Sequence, residues 1–563
     1  MENYSKGHIC HCLSRLSTLR HNLPATISGE RRKSGPEFVE EVLGLAHGLL
    51  RLGLRPGDVV AIAALNSELY LEWLLAIAFV GGIAAPLNYR WSFEEAMSAM
   101  DEVKPVMLVT DKSCKLWSSK LQNHNYLPCL RWHVSLDSSS SSNISTTTNA
   151  LSTETIMRKQ PVKDFSSMNY SWAPQGSVII CFTSGTTGRP KGVVISHSAL
   201  ITQSLAKIAI VRYSEDDVYL HTAPLCHIGG LSTAFAMLMI GACHVFIPKF
   251  EAKSALEAIQ SYGVTALITV PAIMADLIYS ARVKETGKGI ECVKKILNGG
   301  GGLSLKLTKQ AVSFFPKAKI FSAYGMTETC STLTFMTLHD PKAPEIPNLP
   351  LGRTNQPHGI CVGKPAPHVE IKISIMDNGS SNFGKILTRG PHVMLGYWGR
   401  SQSSSKAEEG DWLDTGDIGF VDDIGNLWLM GRDKGRIKTG GENVYPEEVE
   451  AILSQHPGVV GVVVVGIPDI RLTEMVVACL QLKRDWQWTN KTSGQQSIPK
   501  ENQLLYPQIL RLYCKEKNLA GFKIPKKFIL WNKPFPVTTT GKVIREKIQR
   551  EIVSQQQPLH SHL

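Results

Sequence analysis

Apolar positions in the first half of the chain follow two alternating periods. From Phe38 to Leu52 they recur every three or four residues, which predicts an amphipathic helix. From Val59 to Ala64 they run unbroken, as in a strand buried on both faces. The alternation covers residues 37–133 and resumes from Val178. Helix and strand patterns in turn predict an α/β fold, with helix-covered parallel sheets forming a large N-terminal domain. Two longer apolar runs, Leu71–Leu87 and Leu231–Pro248, are interrupted by Glu72 and Gly81-Gly82 and by Ser232, Thr233 and His244. Both are near or below the roughly 20 residues of a membrane span, so they read as buried helices and strands.

The pattern breaks in three places. Residues 134–150 are rich in Ser, Thr and Asn, residues 339–360 in Pro and Asn, and 484–503 are irregular. A change of character falls near Gly431. The strand-like Asn426–Met430 gives way to a glycine-rich turn and then a helix that starts at Pro446, with Glu447 and Glu448 suited to the positive end of its dipole. Val449, Ile452 and Leu453 share one face of it, and Val459–Gly466 and Glu474–Leu482 read as strands. The expected organisation is a flexible or targeting segment at 1–12, a large domain at 13–433, a small mobile α+β domain at 434–550 hinged near Lys434, and a tail at 551–563.

Composition narrows the function. The 563 residues are 43% hydrophobic and 19% charged, enough to bury large cores. The net charge of +12 is scattered rather than clustered, which argues against a nucleic-acid face. The twelve cysteines form no CxxC pair, and Cys10-His11-Cys12 lacks partners at a zinc-like spacing. The chain reads as reduced and intracellular. Lys6, Arg15 and Arg20 among Ser and Thr give the N-terminus a weak transit-peptide composition, and the chain ends in Ser561-His562-Leu563, one position away from the peroxisomal Ser-Lys-Leu. Chloroplast, peroxisome or both are the expected addresses, ahead of the cytoplasm.

Chemistry concentrates in a few motifs. Thr183-Ser184-Gly185-Thr186-Thr187-Gly188-Arg189-Pro190-Lys191-Gly192 follows the apolar strand Val178–Phe182. Its glycines let backbone N–H groups approach an anion, and its hydroxyls and Lys191 add donors. The spacing is not that of a Walker loop. Tyr324-Gly325-Met326-Thr327-Glu328 follows the strand Ala318–Ala323, Asn298–Gly302 ends another strand, Thr415-Gly416-Asp417 lies in a turn after Trp412, and Pro536–Lys542 lies near the C-terminus.

Together these motifs resemble the adenylate-forming superfamily of acyl-CoA synthetases, nonribosomal adenylation domains and firefly-type luciferases, over about residues 13–550. The resemblance implies ATP and Mg²⁺ as cofactors, CoA and a small carboxylic acid as co-substrates, and neither nucleic acid nor a membrane span. It implies that Thr183, Ser184, Gly185, Thr186, Thr187, Gly188 and Lys191 grip phosphate. It assigns Ser322, Ala323, Tyr324, Gly325, Met326 and Thr327 to the nucleotide, with Tyr324 on the adenine and Thr327 on the α-phosphate. Glu328 and Thr187 would hold Mg²⁺. Gly299, Gly300 and Gly301 would line the adenine and acyl pockets, and Asp417 and Arg432 would bind the ribose. His227 would gate the acyl carboxylate. Lys542 would bridge the attacking carboxylate and the α-phosphate. Lys434 would be the hinge, and Gly440 and Gly441 would face the thiol channel after the small domain rotates. The implied activity is an AMP-forming acid–CoA ligase. A stand-alone protein that adenylates an acid for a carrier, and a non-enzymatic nucleotide-binding scaffold, remain the alternatives. A pyrophosphate-exchange assay with and without CoA separates the three.

Overall fold

The computed structural model describes residues 7–114, 117, 120, 127–136, 151–157, 169–184, 190–283, 290–343, 359–375, 383–400, 411–439, 442–469, 472–489, 504–517, 519, 521–538 and 541–556. The chain divides into two units. One comprises 1–349, 362–372 and 387–414, and the other 350–361, 373–386 and 415–563.

Local signals set the elements of the first unit. Ser34 caps the helix Gly35–Arg51: its hydroxyl accepts the Glu37 N–H, the Glu37 carboxylate accepts the Ser34 N–H, and Pro36 fits the first turn. Phe38, Val42, Leu45 and Leu49 form its buried face. The apolar run at 71–87 becomes the helix Glu68–Phe79 and the strand Ile83–Pro86, and the run at 231–248 becomes the helix Ile228–Ile240 and the strand Cys243–Phe246. These helices are buried nearly all round, which is why they carry no polar stripe. Among the described residues no helix is long and apolar enough to cross a membrane.

Two sheets organise this unit. One runs Gly396–Tyr397, Pro190–Ser196, Ser177–Ser184, Ile83–Pro86, Val59–Ala63, Met107–Thr110, Trp132–Ser135, Leu151–Ser152; its first two pairings are antiparallel and the rest parallel. The other runs Thr334–His339, Lys319–Tyr324, Lys295–Asn298, Ala266–Thr269, Val218–His221, Cys243–Phe246, Pro24–Ser28, Arg31–Ser34. It is parallel from Lys319–Tyr324 through Pro24–Ser28 and antiparallel at both ends. Parallel strands point their carboxyl ends to one edge, where α/β proteins place their ligands. The loops after Val218–His221, Lys295–Asn298 and Lys319–Tyr324 therefore open along the same edge, and each carries motif residues.

The segment expected to be flexible is packed from residue 8 onward. His8, Cys10 and Cys12 are buried, the Ile9 N–H donates to His197 Nδ1 at 3.2 Å, and the His8 ring stacks on Tyr170 at 4.8 Å. Both cysteines are packed among apolar neighbours, and among the described residues no group of three or more His, Cys, Asp and Glu is placed to hold a metal. All twelve cysteines are free thiols.

In the second unit, residues 417–421 of the strand Leu413–Val421 pair antiparallel with Leu427–Arg432. The turn between them is wound around Asp422, whose carboxylate accepts the N–H groups of Ile424 and Asn426 and the Trp428 indole N–H. Thr415-Gly416-Asp417, expected in a turn, is thus part of a strand; Gly416 takes the φ of +72° that made the tripeptide look turn-like. A separate sheet runs Glu442–Val444, Ile437–Thr439, Thr473–Leu482, Val459–Asp469, with Lys527–Leu530 parallel to Thr473–Leu482. Helix Pro446–Leu453 buries Val449, Ile452 and Leu453 against this sheet. Its first-turn acids are paired, Glu448 with Lys523 at 2.7 Å and Glu447 with Arg545 at 3.2 Å.

Candidate active site

The two ends of the glycine-rich motif pair antiparallel. Thr183 pairs with Lys191 and Ser184 with Pro190, so strands reach into the motif from both sides where a free loop was expected. Gly185, Thr186, Thr187 and Gly188 lie outside the described residues, as does the Ser184 side chain. The hairpin fixes Lys191 at the mouth of the loop. Its neighbour strand supplies Tyr397, whose ring centroid lies 5.3 Å from Lys191 Nζ. The same tyrosine donates its hydroxyl to Glu328 Oε1 at 2.9 Å. Burial, then the Glu328 carboxylate, push the phenol pKa upward, so Tyr397 stays a donor at neutral pH.

Glu328 is buried in a short 3₁₀ turn, Thr327–Thr329, just past the end of the strand Lys319–Tyr324. The turn is over-determined. A Cβ on Gly325 would lie 1.7 Å from the Ser331 carbonyl oxygen, so only glycine allows the chain to double back there. Cys330 and Ser331 take positive φ values of 51° and 107°. Buried Gln203 clamps the turn by donating to the carbonyls of Thr329 and Thr332. Glu328 thus presents Oε2, the oxygen that Tyr397 does not engage. Ser322 and Ala323 are on that strand itself, Ser322 in register with Asn298 on the adjacent strand. Tyr324 and Met326 flank Gly325 at its end.

Asn298 is buried and closes the glycine loop by donating to the Gly301 carbonyl at 2.7 Å. Gly300 has φ +67°, and a Cβ on Gly299 would meet nothing within 4 Å, so the loop leaves open space over its backbone. His227 caps the N-terminal end of helix Ile228–Ile240. Asn66 aims the approach to it, donating to the Ala223 carbonyl at 3.0 Å and accepting the Leu225 N–H at 2.9 Å. Burial first, then the Arg90 charge, pull the His227 pKa down to about 4, so its ring is a neutral imidazole at physiological pH.

Asp417, Arg432 and Lys542 belong to the second unit. Asp417 and Arg432 face each other across the hairpin, with Arg432 Nε 3.0 Å from Asp417 Oδ1. Asp417 is buried and Arg432 exposed, so the pair offers an oriented carboxylate beside an accessible guanidinium. Lys542 is exposed at the end of a tight turn. The Thr538 hydroxyl accepts the Lys542 N–H at 3.1 Å, the Thr538 N–H donates to the Lys542 carbonyl at 2.7 Å, and Gly541 takes φ +81°. Lys434 lies in the 3₁₀ turn Asp433–Gly435, its side chain outside the described set together with Gly440 and Gly441.

In the first unit Glu328 keeps a carboxylate oxygen that Tyr397 does not engage, and Lys191 stands where the second hairpin strand begins. In the second unit Asp417 and Arg432 pair on one rung of their hairpin. Sequence reasoning missed Tyr397, Gln203 and Asn66. Tyr397 sits in a two-residue strand with no motif around it. Gln203 and Asn66 act through backbone groups that no local pattern reveals.

Comparison with known proteins follows the same lines. Residues 16–398 match the AMP-binding enzyme family, and residues 448–542 match the AMP-binding enzyme C-terminal domain. The chain is 55% identical, over all of both chains, to the chloroplastic/peroxisomal 2-succinylbenzoate–CoA ligase of Arabidopsis thaliana. It is 29% identical to the indoleacetate–CoA ligase of Aromatoleum aromaticum, over 92% of this chain and 93% of that one. Among solved structures, the o-succinylbenzoate CoA synthetase of Bacillus subtilis with its acyl-adenylate intermediate superposes with TM-score 0.74, at 25% identity over 96% of this chain and 97% of that one. An anthranilate CoA ligase in complex with anthranoyl-AMP shares the fold, with TM-score 0.79 at 22% identity over 98% and 99%. The chain is a member of the AMP-binding, adenylate-forming enzyme family and has its large N-terminal and small C-terminal domains.

Proposed function

We propose that the protein is an AMP-forming acid–CoA ligase whose acid is 2-succinylbenzoate, and that it acts in phylloquinone biosynthesis. The observation that carries the enzyme class is the Lys191–Tyr397–Glu328 constellation beside the glycine-rich hairpin. The acid rests on the full-length likeness to the Arabidopsis ligase. It also rests on stretches similar to plant ligases of this acid, among them Asn88–Trp91, Leu200–Ala209, Phe335–Asp340 and Lys438–Glu450.

The reaction runs in two halves. One acid carboxylate attacks the α-phosphorus of ATP, pyrophosphate leaves, and an acyl-adenylate forms. The CoA thiol then attacks the acyl carbon and AMP leaves, giving the thioester. In the first half Glu328 would hold Mg²⁺, which would screen the phosphates, and Lys191 steadies the phosphate loop. Asp417 and Arg432 fix the ribose, and Lys542 neutralises the charge that builds on the pentacoordinate phosphorus. Neutral His227 lines the acyl side without adding charge. Rotation of the small domain about Lys434 exchanges Lys542 for the Gly440-Gly441 loop in the second half.

The test is kcat/KM over 2-succinylbenzoate, 4-coumarate, benzoate and a medium-chain fatty acid. A win of about tenfold or more by any of the last three overturns the acid and keeps the ligase class. Pyrophosphate exchange without thioester formation would point instead to carrier loading. For location we propose chloroplast and peroxisome, on the Ser561-His562-Leu563 terminus and the likeness to a chloroplastic/peroxisomal relative. An N-terminally tagged fluorescent fusion should reach peroxisomes and a C-terminally tagged one plastids; diffuse cytosolic signal from both overturns both addresses.

A further inference from the structure

Lys207 has no exposed surface. Its ammonium donates to the hydroxyls of Ser232 at 2.5 Å, Thr233 at 3.1 Å and Ser331 at 3.3 Å. Three donors thus meet three neutral acceptors, and among the described residues no carboxylate pairs with the lysine. A buried ammonium without a counter-charge is costly, and a leucine or methionine would fill the same volume without that cost. Burial draws the Lys207 pKa down to about 7, opposed only by the nearby Cys330 thiol.

The position of this cation is specific. Lys207 lies on the helix His197–Val211, which begins where the strand bearing Lys191 ends. Ser232 and Thr233 lie in the first turns of the helix that His227 caps. Ser331 closes the turn that holds Glu328. Three elements that present catalytic candidates therefore converge on one lysine. Ser232 and Thr233 are buried and Ser331 is partly exposed, so the Ser331 side is the one nearest to solvent.

We propose that Lys207, with Ser232, Thr233 and Ser331, is the specificity-determining anion site for a second carboxylate on the acid substrate. This rests on the acid–CoA ligase reading and extends it. The reacting carboxylate goes to the α-phosphate, and the spectator carboxylate supplies the counter-charge that Lys207 lacks in the free protein. The paired state costs less than the unpaired one, so binding energy is drawn selectively from diacids.

The experiment compares wild type with Lys207→Met and Ser232→Ala on two acids, 2-succinylbenzoate and 4-oxo-4-phenylbutanoate, which lacks only the ring carboxylate. Lys207→Met should lower kcat/KM for the diacid by about 100-fold and leave the monoacid within about threefold, with KM for ATP unchanged. Ser232→Ala should shift the same ratio in the same direction by about fivefold, which keeps the test readable if the lysine variant folds poorly. Equal losses on both acids, or an unchanged ratio in both variants, would overturn the proposal while leaving 2-succinylbenzoate as the substrate. A wild-type enzyme that prefers the monoacid would overturn the substrate reading and this site with it.

Discussion

Tyr397 donates its phenolic hydroxyl to Glu328 Oε1 at 2.9 Å, from a strand 69 residues further along the chain. The bond orients a carboxylate that would otherwise rotate, and it leaves Oε2 unengaged by the tyrosine. Tyr397→Phe should raise the Mg²⁺ concentration needed for half-maximal pyrophosphate exchange by about tenfold, with the melting temperature little changed. An unaltered Mg²⁺ requirement would separate the tyrosine from metal binding.

Lys542 carries a prediction that splits the two half-reactions. Lys542→Ala should reduce acyl-adenylate formation by about a hundredfold or more, because the transition-state charge loses its partner. Thioester formation from presynthesised acyl-adenylate should persist. Stopped-flow measurement of each half checks this, and parallel loss in both would remove Lys542 from the first step.

Lys434 carries the opposite split. Proline there fixes φ near −65° and removes an N–H. Lys434→Pro should preserve adenylation and lower thioester formation by roughly a hundredfold. A joint fall in both halves would count against a hinge at this residue.

Gly325→Ala tests the doubled-back turn. The new Cβ would overlap the Ser331 carbonyl. The strand end or the Glu328 turn must then shift, at a cost of about 3 kcal/mol. Thermal melting should register the loss, and pyrophosphate exchange should fall further than melting alone explains. Wild-type exchange in the alanine variant would show that the turn tolerates relaxation.

Buried histidines set the acid limit of stability. His221 and His244 share a hydrogen bond of 2.9 Å, and burial pulls His221 well below 6.5 and His244 to about 3. Burial likewise takes His8 to about 4 and His197 to about 3. Below pH 6.5 the unfolded chain binds protons that the folded one refuses. Stability from these groups is therefore complete above that pH and declines as pH falls toward 4. The melting temperature should drop steeply between about pH 6.5 and about pH 5 and be flat with respect to these groups above about pH 7. A flat profile through the acid range would show that the histidines find solvent.

The alternating core was legible because burial on both faces leaves an unmistakable signature, as in Val59–Ala63 and the helix Glu68–Phe79. The helix at Pro446 was legible from its proline and first-turn acids. Thr415–Asp417 was misplaced because a glycine at positive φ inside a strand has the local spelling of a turn. The N-terminal cysteines were misjudged for a different reason: their segment is held by distant partners, Cys10 by the Leu75 carbonyl and the adjacent Ile9 N–H by His197. Lys207 left a readable trace, a single cation in the otherwise apolar stretch Ala206–Val211, yet its hydroxyl partners come from a different helix and a distant turn.

The Asp422 turn turns chain length into chemistry. Asp417 and Arg432 meet because the five residues 417–421 are matched against the six residues 427–432, one bulged residue making up the difference, and the Asp422 carboxylate pins the turn from which the count begins. Removing one residue between 422 and 426 would slide the rungs by one and turn the arginine to the opposite face, although both side chains would still be present. The spacer is thus a ruler, and its length matters to the pairing as much as the two charged residues it aligns.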